Sequence, residues 1–269
     1  MKMHKTILVA VGFISMFSHN AVGHNLQNDA CEVRLQGDLV LVDGQVTLSD
    51  ENDAVIVLNR SGEATVNGRT LVLNTNEQAR VTSYVEGIEY AVPRAIELAA
   101  NAIELTNFAL TEVFTGLLGQ DSRLVKLLNE KLTALKQKLD AHIYQTPNAI
   151  TFKGDVFGLN ETGKSELEKE IDAAVEDLLA TAMAEMFIAL GKGMLSGNGG
   201  LQELESKMNN LGDQLEATIE TESQKLADDA QALCDSIELL DIQESQLNNI
   251  DGLQDLDFFE YQAVNRLKA

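Results

Sequence analysis

Between residues 31 and 73 apolar and polar positions alternate with a period of two. In CEVRL, Cys31, Val33 and Leu35 fall on one face and Glu32 and Arg34 on the other, the pattern of a half-buried strand. DLVLVDGQVTLSD and AVIVLN continue it, punctuated by Gly44 and by the polar cluster from Asp50 to Asp53. EATVNGRTLVL then sets Asn67-Gly68 between two strand-like runs. That pair signals a type I′ hairpin, because both central residues must take positive φ. The pattern predicts a small antiparallel β meander.

From Thr75 the period changes to helical. Thr75 and Gln78 form a candidate capping box, and Val81, Val85 and Ile88 share a face. Pro93 is expected to kink or restart this helix. Beyond it, Ile96, Ala100, Ile103, Leu110, Val113, Phe114 and Leu117 lie on one broad side. Leu105 and Phe108 fall elsewhere, which predicts a helix covered on more than one face. Gly119 is the expected stop. A third helix over 121–143 carries Leu124, Leu128, Leu132, Leu135 and Leu139 in its stripe.

After Pro147, AITFKGDVF reads as a short strand or extended crossing. The next helix is predicted from Ser165 to Leu190, with Leu167, Ile171, Val175, Leu178, Met186 and Leu190 inward. GKGMLSGNGG, with five glycines in ten residues, is expected to be a flexible connection. Leu201, Leu204, Met208, Leu211 and Leu215 then repeat at 3-4-3-4 spacing, and Ile219 follows. Leu226, Ala230, Leu233, Ile237 and Leu240 resume the rhythm after a stutter-like step, which predicts long coiled-coil-like helices. Such a stripe is read first as intramolecular core and second as an oligomer seam.

The fold expected is therefore α+β, a small N-terminal antiparallel meander packed on a mainly helical body. Residues 24–74 form the β-rich part and 75–269 the helical body, with 24–269 as one structural unit. Residues 1–23 are different. Lys2 and Lys5 precede an 11-residue apolar run from Ile7 to Phe17, and Ala21-Val22-Gly23 supplies small residues for cleavage near Gly23. The run is shorter than the ~20 residues that span a bilayer. It reads as a secretory signal, and no later stretch predicts stable membrane insertion.

Charge narrows the partners. Without residues 1–23 the chain has 18 basic and 42 acidic residues, a net charge of −24. Such a surface repels nucleic-acid backbones and anionic lipid. The helix over 121–143 is the net-positive exception, with five bases against three acids, whereas residues 161–260 hold 24 acids and five bases. The economical arrangement sets the basic helix beside the acidic ones. Trp is absent and aromatics make up 5% of the chain, so the core must be largely aliphatic.

One stretch has the spelling of a phosphate-binding loop, G-x4-G-K-S from Gly158 to Ser165. A working loop follows a strand of a parallel sheet, and here the preceding strands form a meander. Ser165 with Glu168 makes a capping box without any phosphate. Glu166, Glu168 and Glu170 complement the helix dipole where a triphosphate would sit. The motif reads as a helix start, so no nucleotide or other cofactor is expected.

No catalytic or metal-binding residue stands out. His24 and His142 are far apart, and His142 ends an amphipathic helix, where a cation is favoured. Asp251, Asp255, Asp257 and Glu260 miss the EF-hand spacing and read as solvated acids. Neither H-E-x-x-H nor G-x-S-x-G occurs. The two cysteines carry more weight: in an exported chain Cys31 and Cys234 favour one disulfide, the alternative being two buried free thiols.

The signal peptide, the cysteine soon after it, the short β-rich stretch, the alternating helices, the AITFKGD crossing and the late cysteine together resemble the YggN-like proteins. These are proteobacterial periplasmic proteins carrying a domain of unknown function. The resemblance runs from about Cys31 to the C-terminus. It implies a periplasmic location, no assigned activity, no catalytic residues to carry over and no phosphate-binding loop after the crossing. The function expected is that of a non-enzymatic interaction or chaperone-like envelope protein with a protein partner. The alternative is a carboxylate-dependent hydrolase acting on an envelope polymer. Titration with ATP and magnesium should show no saturable binding, and Lys164→Ala should leave stability nearly unchanged. Micromolar affinity abolished by that substitution would reverse the reading.

Overall fold

The computed structural model describes residues 31–50, 54–146, 148–153, 156, 166–195 and 200–263. The signal-like segment 1–23, His24 and the stretch from Gly158 to Ser165 lie outside them. Six strands follow one another first: β1 (Cys31–Leu35), β2 (Gly37–Val42), β3 (Gln45–Asp50), β4 (Val55–Asn59), β5 (Ala64–Val66) and β6 (Arg69–Thr70). Helices α1 (Thr75–Leu118) and α2 (Arg123–Ile143), strand β7 (Ala149–Phe152), helices α3 (Glu166–Leu195) and α4 (Gly200–Leu247), and strand β8 (Phe259–Ala263) complete the order. The fold is α+β, as the change of period predicts.

A six-stranded antiparallel sheet has the order β6-β5-β4-β3-β2-β7. Its period-2 pattern buries Leu39, Leu41, Val46, Leu48, Leu58 and Ala64. Asn67 and Gly68 take φ of 49° and 78° between the paired Val66 and Arg69, which is the hairpin their sequence predicts. Asp43 and Gly44 do the same between Val42 and Gln45, with φ of 43° and 81°. The AITF crossing pairs antiparallel with β2, Leu39 opposite Phe152 and Val42 opposite Ala149. One strand departs from the meander: β1 pairs with β8 instead, in a separate two-stranded ladder from Cys31↔Ala263 to Leu35↔Phe259.

Three helix boundaries also differ from the sequence expectation. The first capping box is Asn74 with Glu77, one residue before Thr75 and Gln78. Asn74 Oδ1 accepts from the N–H groups of Asn76 (2.9 Å) and Glu77 (3.1 Å), while the Glu77 carboxylate accepts from Asn74 N–H (2.8 Å). Both residue types cap well, and Asn reaches the second and third turn amides from here. Pro93 does not restart the helix, because α1 continues through it over 44 residues with Pro93 on an exposed side. α3 likewise continues through Gly191 and Gly193 to Leu195, and residues 196–199 of the expected connection lie outside the described residues. A helical glycine costs only about 1 kcal/mol, which neighbouring apolar residues can offset. Gly119 ends α1 as expected, with φ of 90° and its N–H bonded to the Thr115 carbonyl at 2.8 Å.

The chain forms two compact units. The first comprises residues up to 98, 139–167 and from 228 onward. It contains both sheets and a core of Val81, Tyr84, Val85, Ile88, Leu233, Ile237, Leu240, Leu247, Leu253 and Phe259 alongside the sheet residues. The β4–β5 turn sits directly on α1: a Cβ on Gly62 would lie 2.8 Å from the Gln78 carbonyl oxygen. Thr82 Oγ1 donates to the Arg60 carbonyl at 3.1 Å, and Arg60 pairs with Glu89 at 2.5 Å. Cys31 and Cys234 are bonded, with Cα atoms 5.8 Å apart, so β1 is fixed to α4. The later part of the α4 stripe, Leu233, Ile237 and Leu240, is core in this unit, in line with the intramolecular reading.

The second unit comprises residues 99–138 and 168–227 and is helical. Ser122 Oγ caps α2, accepting from the N–H groups of Leu124 and Val125, and donates to Glu185 at 2.6 Å. Glu185 also accepts from Arg123 N–H at 2.9 Å. Lys131 meets Asp177 at 2.5 Å and Lys138 meets Glu170 at 2.6 Å. Residue numbers rise along α2 as they fall along α3, so the helices run antiparallel. The basic helix does lie beside an acidic one.

The disulfide is the covalent closure within the first unit, across a sequence separation of 203 residues. Chain-entropy reasoning puts its worth at up to ~5 kcal/mol. Cys31→Ser/Cys234→Ser should lower the urea midpoint of the first unit accordingly. An unchanged midpoint would show that non-covalent contacts alone hold β1 on α4.

Candidate functional site

Helix α4 carries the polar run DIQESQ over 241–246, and its fourth residue, Glu244, points inward at 2% exposure. One carboxylate oxygen accepts the hydroxyl hydrogen bond of Tyr84, which is fully buried on α1. The other accepts from the backbone N–H groups of Phe258 and Phe259, at 2.9 and 3.0 Å. Phe259 stands edge-on to both the Tyr84 ring (6.5 Å) and the Phe258 ring (5.3 Å). One side chain therefore joins three elements: α1, α4 and the start of β8.

Burial pushes the Glu244 carboxyl up to about 7, with Asp257 adding to the rise, although the bonds from Tyr84, Phe259 and Phe258 oppose it. Burial and the neighbouring Glu244 hold the Tyr84 phenol well above its ordinary range. Asp241, one turn earlier on α4, is raised by its partial burial and by Asp257, Glu238 and Glu260. Such shifts are a mark of catalytic acids. Here, however, the phenol and the carboxylate are sealed from solvent, and no substrate atom can reach either. The cluster is a structural clasp.

A groove of about 260 Å³ lies between the start of α1 and the end of α4, lined by Ala79, Arg80, Ser83, Leu239, Gln243 and Gln246. It contains no carboxylate. Arg80 donates to the Gln246 carbonyl at 3.3 Å, and the Gln243 side-chain oxygen is buried without a hydrogen-bond partner among the described residues. The hydrolase alternative asked for paired carboxylates in a cleft, and this groove does not supply them. Nor do the described residues bring three or more His, Cys, Asp or Glu side chains together around a metal position. His142 sits half-buried in the last turn of α2, and Asp251, Asp255 and Asp257 are exposed as expected, whereas Glu260 is half-buried on β8 and accepts from Gln36 Nε2 at 3.1 Å.

The other candidate site is apolar. Val175, Leu179, Met183 and Phe187 recur every four residues on α3 and are 40, 58, 59 and 75% exposed. Val175 was expected inward and is not. α3 is apolar nearly all round from Leu178 to Gly191, where Glu185 is the sole charged residue, so the sequence did not reveal which face its own unit would cover. The row of Glu170, Asp177 and Glu185 faces α2, which leaves the four-residue ridge on the far side.

The clasp gives a pH dependence whose sign is fixed. Glu244 binds its proton more tightly folded, near 7, than at its ordinary value of 4.5. Its contribution is fully present below pH 4.5 and is lost as pH rises through 7, about 3 kcal/mol in all. Glu244→Gln keeps acceptor and donor without the charge. The stability of wild type relative to the variant should fall between pH 5 and 8 by roughly that amount. Parallel curves for the two proteins would contradict the assignment.

No curated protein and no solved structure matches this chain. A family model, described as a protein of unknown function (DUF2884), matches residues 31–259, from the disulfide cysteine on β1 to the first residue of β8. The chain belongs to the DUF2884 family of unknown function.

Proposed function

We propose that this is a non-enzymatic periplasmic interaction protein, working through the exposed face of α3. The observation that carries the reading is the exposed ridge Val175–Leu179–Met183–Phe187 on α3, most of it within residues 178–191, where Glu185 is the sole charged residue. Exposed apolar patches of several hundred Å² on an acidic protein are characteristic of binding surfaces. The signal-like start and the disulfide support export, and among the described residues no helix is long and apolar enough to cross a membrane. The first unit supplies a covalently closed platform, and the chemistry of its buried carboxylate serves stability. A chaperone-like role is the form this reading takes if the ridge holds apolar segments of other envelope proteins.

A photo-crosslinking residue placed at Met183 in cells should give reproducible protein adducts, and one placed at exposed Glu97 on α1 should not. Absence of any adduct at position 183 would remove the support for an interaction surface there.

A further inference from the structure

From the geometry of α3 we infer that the occupant of its exposed ridge is a second copy of this chain. The inference rests on the reading of this face as an interaction surface and names the partner. Val175, Leu179, Met183 and Phe187 form one i, i+4 row. The adjoining i, i+4 row on the same side presents Ala180 and Ala184, both small and exposed, between exposed Glu176 and Ile188. A ridge of large side chains beside a shallow groove on one helix face is complementary to itself when turned through a twofold axis. Interdigitation of i±4 rows is the commonest mode of helix packing, with axes crossing at about −50°. The symmetric contact would centre between Leu179 and Met183, each meeting the other residue of the partner copy.

Area and charge agree with this choice. With Ile188, which is 57% exposed one residue beyond Phe187, the face offers on the order of 500 Å² of apolar surface. Two copies would then bury ~1,000 Å², near the lower limit for a specific interface. The whole chain carries a net charge of −22, so most faces of two copies repel each other. Residues 178–191 hold a single acid, Glu185, and it is already bound to Ser122 and the Arg123 amide. Exposed Glu176 beside Val175 is the acid that borders the ridge, and about a twofold axis between Leu179 and Met183 it falls opposite residue 186 of the second copy and not opposite its own counterpart. Because the remaining surfaces repel, salt should tighten the association, whereas docking of a charged partner would weaken with salt.

The test is the mass of the protein lacking residues 1–23, measured by sedimentation equilibrium from 1 to 200 µM, with Leu179→Glu/Met183→Glu alongside. The wild type should be a dimer with a dissociation constant in the micromolar range, at least threefold tighter at 0.5 M than at 0.05 M salt. The variant should be monomeric across the series with unchanged far-UV circular dichroism. A monomeric wild type at 200 µM overturns the proposal, and so does a folded variant that still dimerises. If the variant loses helicity, the photo-crosslinker at Met183 in the purified wild-type sequence decides. An adduct of twice the chain mass supports the self-contact, and its absence overturns it. Adducts to other proteins in cells without that species would sink the second copy while leaving the interaction surface standing.

Discussion

Cys31 and Cys234 lie 203 residues apart in sequence and 5.8 Å apart at their Cα atoms. That closure determines which distant segments of the chain are neighbours. It holds β1 on α4, and β1 in turn offers its edge to β8 from Cys31↔Ala263 to Leu35↔Phe259. A short two-stranded ladder is marginal alone in water. Here a covalent bond anchors one end, while Glu244 grips the backbone at the other through Phe258 and Phe259. The buried carboxylate has a cost, since burial opposes its charge, but it satisfies two amides that would otherwise be orphaned. Covalent bond and clasp thus act on the same strip of structure from opposite ends.

The two units divide the chemistry between them. The first has the sheets, the disulfide and, among the described residues, most of the buried side chains. The second is helical, organised by an antiparallel α2–α3 pair whose ion pairs repeat along its length. Exposed pairs of this sort add little stability, typically under 1 kcal/mol each, but they fix register. By occupying one side of α3 they determine which of its apolar rows remains open. An apolar ridge on an otherwise acidic chain is the feature on which the proposed interaction role rests, and the family match leaves the activity open.

Local signals were legible in the sequence. Asn67-Gly68 specifies a hairpin because the φ values it requires are available to few other pairs, and Asp43-Gly44 carried the same message. Gly119 as a stop and the leucine stripe of α2 needed only their immediate neighbours. The two cysteines were legible through counting, since no third one competes. What could not be read was set by distant partners. FEYQA follows a stretch of acids and lacks a strong strand pattern; it is a strand because β1 supplies the edge. Glu244 looks like any other acid in DIQESQ, and its burial depends on Tyr84, 160 positions earlier. Val175 could not be placed because α3 is apolar on several sides, and only its ion pairs with α2 orient it.

Disulfide and clasp jointly hold β1 and β8 on α4, while the α2–α3 pair is held by its own contacts. Amide hydrogen exchange on the oxidised and the reduced protein, resolved by residue near pH 6, tests this most directly. On reduction, the amides of Phe258, Phe259 and the β1–β8 ladder should lose protection by at least tenfold. Those of α2 between 126 and 136 should stay within about twofold of their oxidised values. Unchanged protection in the ladder, or an equal loss throughout both units, would contradict the account.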